Sequence, residues 1–387
     1  GSWEYQAVMN QEKGTEVVVD WEDKTSVRMS AAQLYELIFD GNNKWMLSAN
    51  GTIFTYEYEA IIPGLLKRWY AERKEMQQKM RECGDNEIER EYWDKRQLVK
   101  KINLNSLYGA ILNPGCRFFD IRIGQSVTLT GRCITKHMAS KVNEIVAGKY
   151  DHKGESVVYG DTDSVYFSAF NTLKKEIDQG VIPWTKDSVV TLYDRISDEV
   201  NGTFKAFMTK AFHCPSTRGE VIAAGRELVA SKGLFITKKR YAVLFYDKEG
   251  KRADVDGKEG KMKAMGLDLK RSDTPVFVQD FLSDLLYMVL TGKTETEVLE
   301  KISEFRAEFK ARPGWEKGSP KRANNMTKYT EAEKAKGKAN MPGHVRASMN
   351  WNRCREMYGD KYSMPITDGA KVIVCKLKSN PLGYTSI

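Results

Sequence analysis

Tyr159-Gly160-Asp161-Thr162-Asp163-Ser164 lies between Ser156-Val157-Val158 and Val165-Tyr166-Phe167. Both flanks are β-branched or aromatic and read as strands, so the stretch predicts a hairpin with acid at a glycine turn. Side chains two apart on an extended segment point to one side, which would let Asp161 and Asp163 face one small volume. Two carboxylates so placed suit hard cations, which take oxygen ligands. A solvated acidic turn has the same sequence, and the pair alone does not choose between them.

Upstream runs Lys101-Ile102-Asn103-Leu104-Asn105-Ser106-Leu107-Tyr108-Gly109. On a helix, Lys101, Asn105 and Tyr108 fall at i, i+4 and i+7 and share a face. A cation, an amide and an aromatic ring on one stripe suit a ligand with phosphate, a polar edge and a flat ring. An exposed amphipathic helix with an incidental lysine is the plainer alternative.

Taken together, the two motifs resemble family B DNA polymerases, in particular the replicative polymerases of T-even-like bacteriophages. The family's KxxxNSxYG signature is matched by Lys101, Asn105, Ser106, Tyr108 and Gly109, and its YGDTDS signature by residues 159 to 164. Lys238-Lys239-Arg240-Tyr241 matches its KKRY segment. Smaller matches follow in order: Phe118 to Arg122, Arg226-Glu227, Ser231-Lys232-Gly233, Met265-Gly266-Leu267, Ser272 to Pro275, and weaker ones at Ala323-Asn324-Asn325 and Pro381-Leu382-Gly383.

That resemblance implies an α+β right-hand polymerase fragment. Residues 3–60 would be a palm-associated region, 61–109 helical-hairpin fingers, 110–272 the palm with a mixed sheet, and 273–387 a mostly helical, incomplete thumb. It implies template-directed DNA synthesis by two-metal nucleotidyl transfer, with Asp163 and Asp161 as Mg²⁺ ligands. Arg73 and Lys101 would neutralise the triphosphate, and Lys101 would donate a proton to the leaving group. Asn105 and Tyr108 would complete the nucleotide site. Gly109, Thr162, Glu227, Lys238, Lys239, Arg240 and Tyr241 would meet DNA, although a surface ion pair explains Glu227 equally well. The family's earlier aspartate motif and its exonuclease have no counterpart in the 387 residues. The expected partners are therefore primer-template DNA, a dNTP and an N-terminal polymerase portion that supplies both, in the cytoplasm of an infected bacterium. On its own the chain would be inactive. A catalytically silent module that grips primer-template or nucleotide is the alternative, and a metal-dependent nuclease leaves the Lys101 stripe unexplained.

Bulk properties agree. Sixty-one Lys and Arg against 52 acidic residues give +9, the footprint of a polyanion partner. The chain is long enough for two or three domains. No apolar run reaches bilayer length and no leader pattern opens it. Gly1-Ser2 reads as the remnant of an expression tag. Six scattered cysteines, with no CxxC, read as free thiols.

Residues 61–109 predict two helices, with Pro63 in the first turn and Cys83-Gly84-Asp85-Asn86 supplying a stop and a new N-cap. Arg68, Arg73 and Lys74 line the first helix, where a solvated face is the plain reading. Residues 115–150 and 186–211 predict helices, Glu220–Phe245 strands, and residues 310–345, rich in Lys, Gly, Asn and Pro, a long loop that orders on a polyanion. Residues 3–60 predict a small mixed region without a site.

Overall fold

A computed structural model describes residues 2–334 and 340–376 and resolves the chain into two units, Gly1–Arg226 and Glu227–Ile387. The first opens with α1 (Ser2–Met9), the hairpin β1 (Glu16–Asp20) and β2 (Ser26–Ser30), α2 (Ala31–Tyr35) and the hairpin β3 (Trp45–Leu47) and β4 (Ile53–Thr55). Val17 and Val19 alternate inward along β1 and join Val8, Leu34, Ile38 and Leu47 in a core. Ser30 caps α2 in a reciprocal box with Gln33, satisfying end donors that the helix leaves open. Distant residues tie this segment down: Tyr5 donates to Ala211 O at 2.8 Å, and His213 Nδ1–H to Trp45 O at 2.8 Å.

Next come α3 (Ile61–Glu82) and α4 (Glu87–Ile111), the expected helical pair. Asn86 accepts from Glu89 N at 3.2 Å and caps α4, with Glu87 and Glu89 favourably placed at the positive helix end. Across both helices only Ile111 is fully buried, so the pair leans on its own facing side chains. Helix α5 (Ile121–Ala147) starts at the Asp120 cap, later than predicted, and stops at Gly148 with φ +73°, a left-handed position that favours glycine.

The acidic hairpin follows as β5 (Val157–Asp161) and β6 (Ser164–Phe167), antiparallel, with Asp161 paired to Ser164. Then come α6 (Lys174–Asp178), α7 (Lys186–Phe212) and α8 (Ser216–Gly219). Helices α5 and α7 meet through Val142, Ile196, Val200 and Phe204. Buried His137 lies between them. Its ring stacks on Phe207 at 4.0 Å, and its nitrogens meet Tyr150 Oη at 2.8 Å and Thr203 Oγ1 at 2.9 Å.

The second unit begins with β7 (Leu228–Thr237), β8 (Arg240–Lys248), β9 (Lys251–Arg252) and β10 (Lys261–Met265), in a sheet ordered β10-β8-β7 with β9 beside β8. Strand structure starts at Leu228 rather than at Glu220; Glu220 to Arg226 follow the short turn of α8 without entering a sheet. Helices α9 (Val276–Leu290) and α10 (Glu295–Ala311) pair through a phenylalanine ladder in which Phe281 stacks on Phe305 at 3.7 Å.

The long loop expected over residues 310–345 is overturned. Strand β11 (Ser319–Ala323) and α11 (Met326–Lys334) occupy it, followed by α12 (Gly343–Met357) and β12 (Ala370–Val374). Strand β11 pairs with β12, whose β-branched residues come some fifty positions later. Ala323, Met326, Met341, Val345 and Met349 form the core beneath. Small and flexible apolar side chains fill such irregular space well. The expected match at Pro381-Leu382-Gly383 lies outside the described residues.

Candidate functional site

Asp161 closes β5 half-buried, and Thr162 and Asp163 form the exposed two-residue turn. Strand alternation therefore does not align the two carboxylates, because Asp163 is off the strand, on the turn that follows Asp161. Nor is Gly160 at the turn. It sits inside β5, and the left-handed residue is Thr162, φ +51°, a conformation that costs energy without a glycine. Two hydrogen bonds hold it there: Thr162 Oγ1 donates to Asp161 Oδ1 at 3.1 Å, and Thr135 Oγ1 on α5 donates to Thr162 O at 2.8 Å. Neither Asp161 nor Asp163 has a cationic partner among the described residues.

On α4, Lys101 and Asn105 are exposed and Tyr108 is half-buried. Tyr108 Oη donates to Gly124 O on α5 at 3.2 Å. Gly124 and Thr135 are eleven residues apart, three full turns, so both face the same side of α5. One helix thus anchors the end of the Lys101 stripe and the tip of the acidic hairpin, about 16 Å apart along its axis at 1.5 Å per residue.

Adjacent lysines have different fates. Lys100 pairs with Glu72 of α3, whose carboxylate also meets Arg68 at 3.9 Å. The Lys100 hydrogen bond holds that carboxyl below its usual range. Lys101 has no carboxylate partner among the described residues. Arg73 donates from Nε to Gln97 Oε1 at 3.2 Å, and Gln97 is one turn before Lys101 on the same face. Arg73 and Lys101 are thereby brought to neighbouring positions across the helical pair. Sequence reasoning missed Gln97, although its i−4 spacing from Lys101 extends the stripe; nothing in the sequence pattern marked Thr135.

Gly109 is exposed, and a Cβ built there would meet nothing within 4 Å. No packing among the described residues demands a glycine at this helical position, where it costs about 0.5–1 kcal/mol relative to alanine.

The Lys238-to-Tyr241 segment belongs to the second unit. Lys238 and Lys239 form the β7–β8 turn, with Lys239 at φ +63°. Gly266 crosses it so closely that a Cβ would lie 2.0 Å from Lys239 O, so a side chain there would displace the turn. Arg240 is exposed, 3.8 Å from Asp268. Tyr241 corrects the expectation of an open contact: it is 7% exposed and stacks on Phe235 at 5.6 Å, packing under the turn. Glu227 accepts from Lys263 Nζ at 2.8 Å, the surface ion pair that was its alternative.

Among the described residues no three His, Cys, Asp or Glu side chains gather into a metal-binding group. Asp161 and Asp163, without a cationic partner among the described residues, still fit Mg²⁺, which keeps several waters and binds through one or two carboxylates plus phosphate oxygens. Among the described residues no helix is long and apolar enough to cross a membrane, and all six cysteines are free thiols.

Comparison with known proteins matches the family described as DNA polymerase family B over residues 16–211 and 222–341. The chain is similar to the DNA-directed DNA polymerase of Enterobacteria phage T4, 29% identical over 307 residues, which covers 74% of this chain and 32% of that protein. It resembles the polymerase of Escherichia phage RB69 to a like degree, 30% identical over 298 residues, with the same coverage of each. The DNA polymerase delta catalytic subunit of Oryza sativa subsp. japonica is 28% identical over 237 residues, 61% of this chain and 18% of that subunit. The chain thus spans about a third of the length of its phage relatives.

Proposed function

The chain belongs to DNA polymerase family B, and from that premise we propose that it carries part of the nucleotidyl-transfer centre of a template-directed DNA polymerase. The observation that carries the proposal is the shared α5 scaffold, with Tyr108 bonded at Gly124 and Thr162 at Thr135 on one side of the helix. It supports a triphosphate running from the Lys101 face towards the acidic tip. On this proposal 61–109 are fingers, 110–272 palm and 273–387 part of a thumb, with residues 3–60 braced against the palm.

Asp163, on the exposed turn, and Asp161 would hold two divalent ions. When bound, such ions neutralise charge on the attacking 3′-oxygen and the departing pyrophosphate. Lys101 and Arg73 act on the other side of the phosphates, placing fixed positive charge where it develops. Lys101 is also the proton donor to the leaving group. Gln97 orients Arg73. Tyr108 packs its ring against the nascent base pair while its hydroxyl stays bonded to α5, and Gly109 lets DNA approach the helix backbone. Lys238, Lys239 and Arg240 contact phosphates without reading sequence.

Among the described residues two acidic side chains stand at the hairpin tip. On this proposal a further carboxylate, supplied by an N-terminal portion of the polymerase, helps to hold both ions in line for the attack. The test is primer extension with and without a polypeptide carrying the family's earlier aspartate motif. Extension only in the mixture, abolished by Asp163→Ala, is the expected result. Robust extension by the purified chain alone overturns the need for a supplied carboxylate. DNA binding without extension in the mixture would instead favour a silent gripping module.

A further inference from the structure

Helix α4 has a second stripe that the proposed nucleotide site does not use. Ile88, Tyr92, Lys95, Val99 and Ile102 recur at alternating steps of four and three, the spacing of a coiled-coil seam. Ile88 is 84% exposed, Tyr92 50%, Val99 55% and Ile102 53%. Lys95, the one charge in the row, is neutralised by Glu91 at 2.7 Å. At 3.6 residues per turn this stripe lies opposite the side that α3 covers. The covered side is marked by Lys79 over the Trp93 ring, by Gln97 bonded to Arg73 and by Lys100 paired with Glu72. Lys101 lies more than a quarter-turn from every residue of the stripe, and only Ile102, one turn before it, borders Asn105, so covering the stripe leaves the Lys101 face open.

Charge on α4 is segregated along its length. Glu87, Glu89, Glu91 and Asp94 occupy the first turns with Arg90 as the one base, whereas Lys95, Arg96, Lys100 and Lys101 follow with no acidic residue after Asp94. Two copies side by side in the same direction would set like charges together. Turned end for end, the acidic half of each meets the basic half of the other, and Ile88 comes beside Val99 with Glu89 beside Arg96. An interface in which the same patch serves both copies closes after two subunits. We infer that the outer face of α4 is a self-association surface on which a second copy of this chain docks antiparallel, as a symmetric dimer. Its apolar seam supplies burial and its segregated charges fix the direction.

Sedimentation equilibrium on the full chain tests this. The wild-type chain dimerises reversibly at tens of micromolar, and Val99→Glu or Ile88→Glu is monomeric with unchanged far-UV dichroism. Direction is read from a charge-swap pair. Glu89→Lys with Glu91→Lys in one variant, and Lys95→Glu with Arg96→Glu in the other, each weaken self-association on the order of tenfold or more. Mixed in equal amounts they pair with one another, because every opposed set of charges is again of unlike sign. A wild-type chain that stays monomeric overturns the inference, including the case in which Val99→Glu instead loses binding to another polymerase polypeptide. Failure of the mixture to associate overturns the antiparallel arrangement.

Discussion

Replacing Gly109 by alanine should move stability and function in opposite directions. The added methyl meets nothing within 4 Å among the described residues, and the position lies within α4, two residues before its end at Ile111. Alanine therefore gains the helix preference that glycine forfeits, about 0.5–1 kcal/mol in an interior position. Proximity to the helix end, where fraying is greatest, puts the expectation in the lower half of that range. For a unit of this size each kcal/mol moves the melting temperature by roughly 2–4 °C, so Gly109→Ala should melt about 1–3 °C higher. In an extension-competent mixture with the proposed N-terminal portion, the same methyl would press on whatever the helix backbone approaches. Overpacking of that kind costs about 1–3 kcal/mol, or roughly fivefold to more than a hundredfold in primer-template or nucleotide affinity. Thermal melting and a fluorescence-anisotropy titration on the same preparation read both quantities. A lower melting temperature would refute the open space seen around Gly109. A higher one with unchanged affinity would refute close ligand approach as the reason for glycine.

Three further outcomes are expected. Primer-template binding should weaken with salt, and replacing Lys238, Lys239 and Arg240 by alanine should flatten the plot of log K against log salt by roughly one per lost phosphate contact; an unchanged slope removes these residues from the interface. In an extension-competent mixture Asp163→Ala should abolish turnover, whereas Lys101→Ala should lower kcat more than it raises KM, because its charge acts most on the transition state; the reverse pattern would make Lys101 a binding residue only. Burial, aided by nearby Lys141, holds the His137 imidazole down to about 4. The unfolded chain then takes up this proton first as pH falls from about 6.5. Stability is full above that pH and declines towards pH 4, by about 3 kcal/mol. His137→Gln should show a flatter urea-midpoint profile over that window, and an identical profile would count against the assignment.

Sequence was most informative where structure is local. Asn86 reads as a cap because its side chain serves Glu89 N three residues on, and the valines and aromatics beside the acidic pair declare strands without outside help. The Lys101 stripe follows from helical spacing alone. Whatever depends on a distant partner stayed hidden. Tyr241 looks like an exposed contact until Phe235 stacks on it from the neighbouring strand. Strand β11 contains Pro320, Lys321 and Arg322 and has no strand pattern of its own; its identity is lent by β12. Thr135 fixes the acidic turn from across the fold, and a threonine within a helix announces nothing of the kind.

The ties that fasten the opening segment have a cost in time. Tyr5 waits for Ala211, 206 positions later, and Trp45 for His213, 168 positions later. At about 5–20 residues per second of synthesis, the partner of Tyr5 follows it off the ribosome by roughly ten to forty seconds. During that interval the tyrosine lacks its acceptor, and the first hairpins must persist on their own small core. Nascent chains halted before α7 is complete should therefore be cut within residues 2–55 by protease far faster than the finished protein.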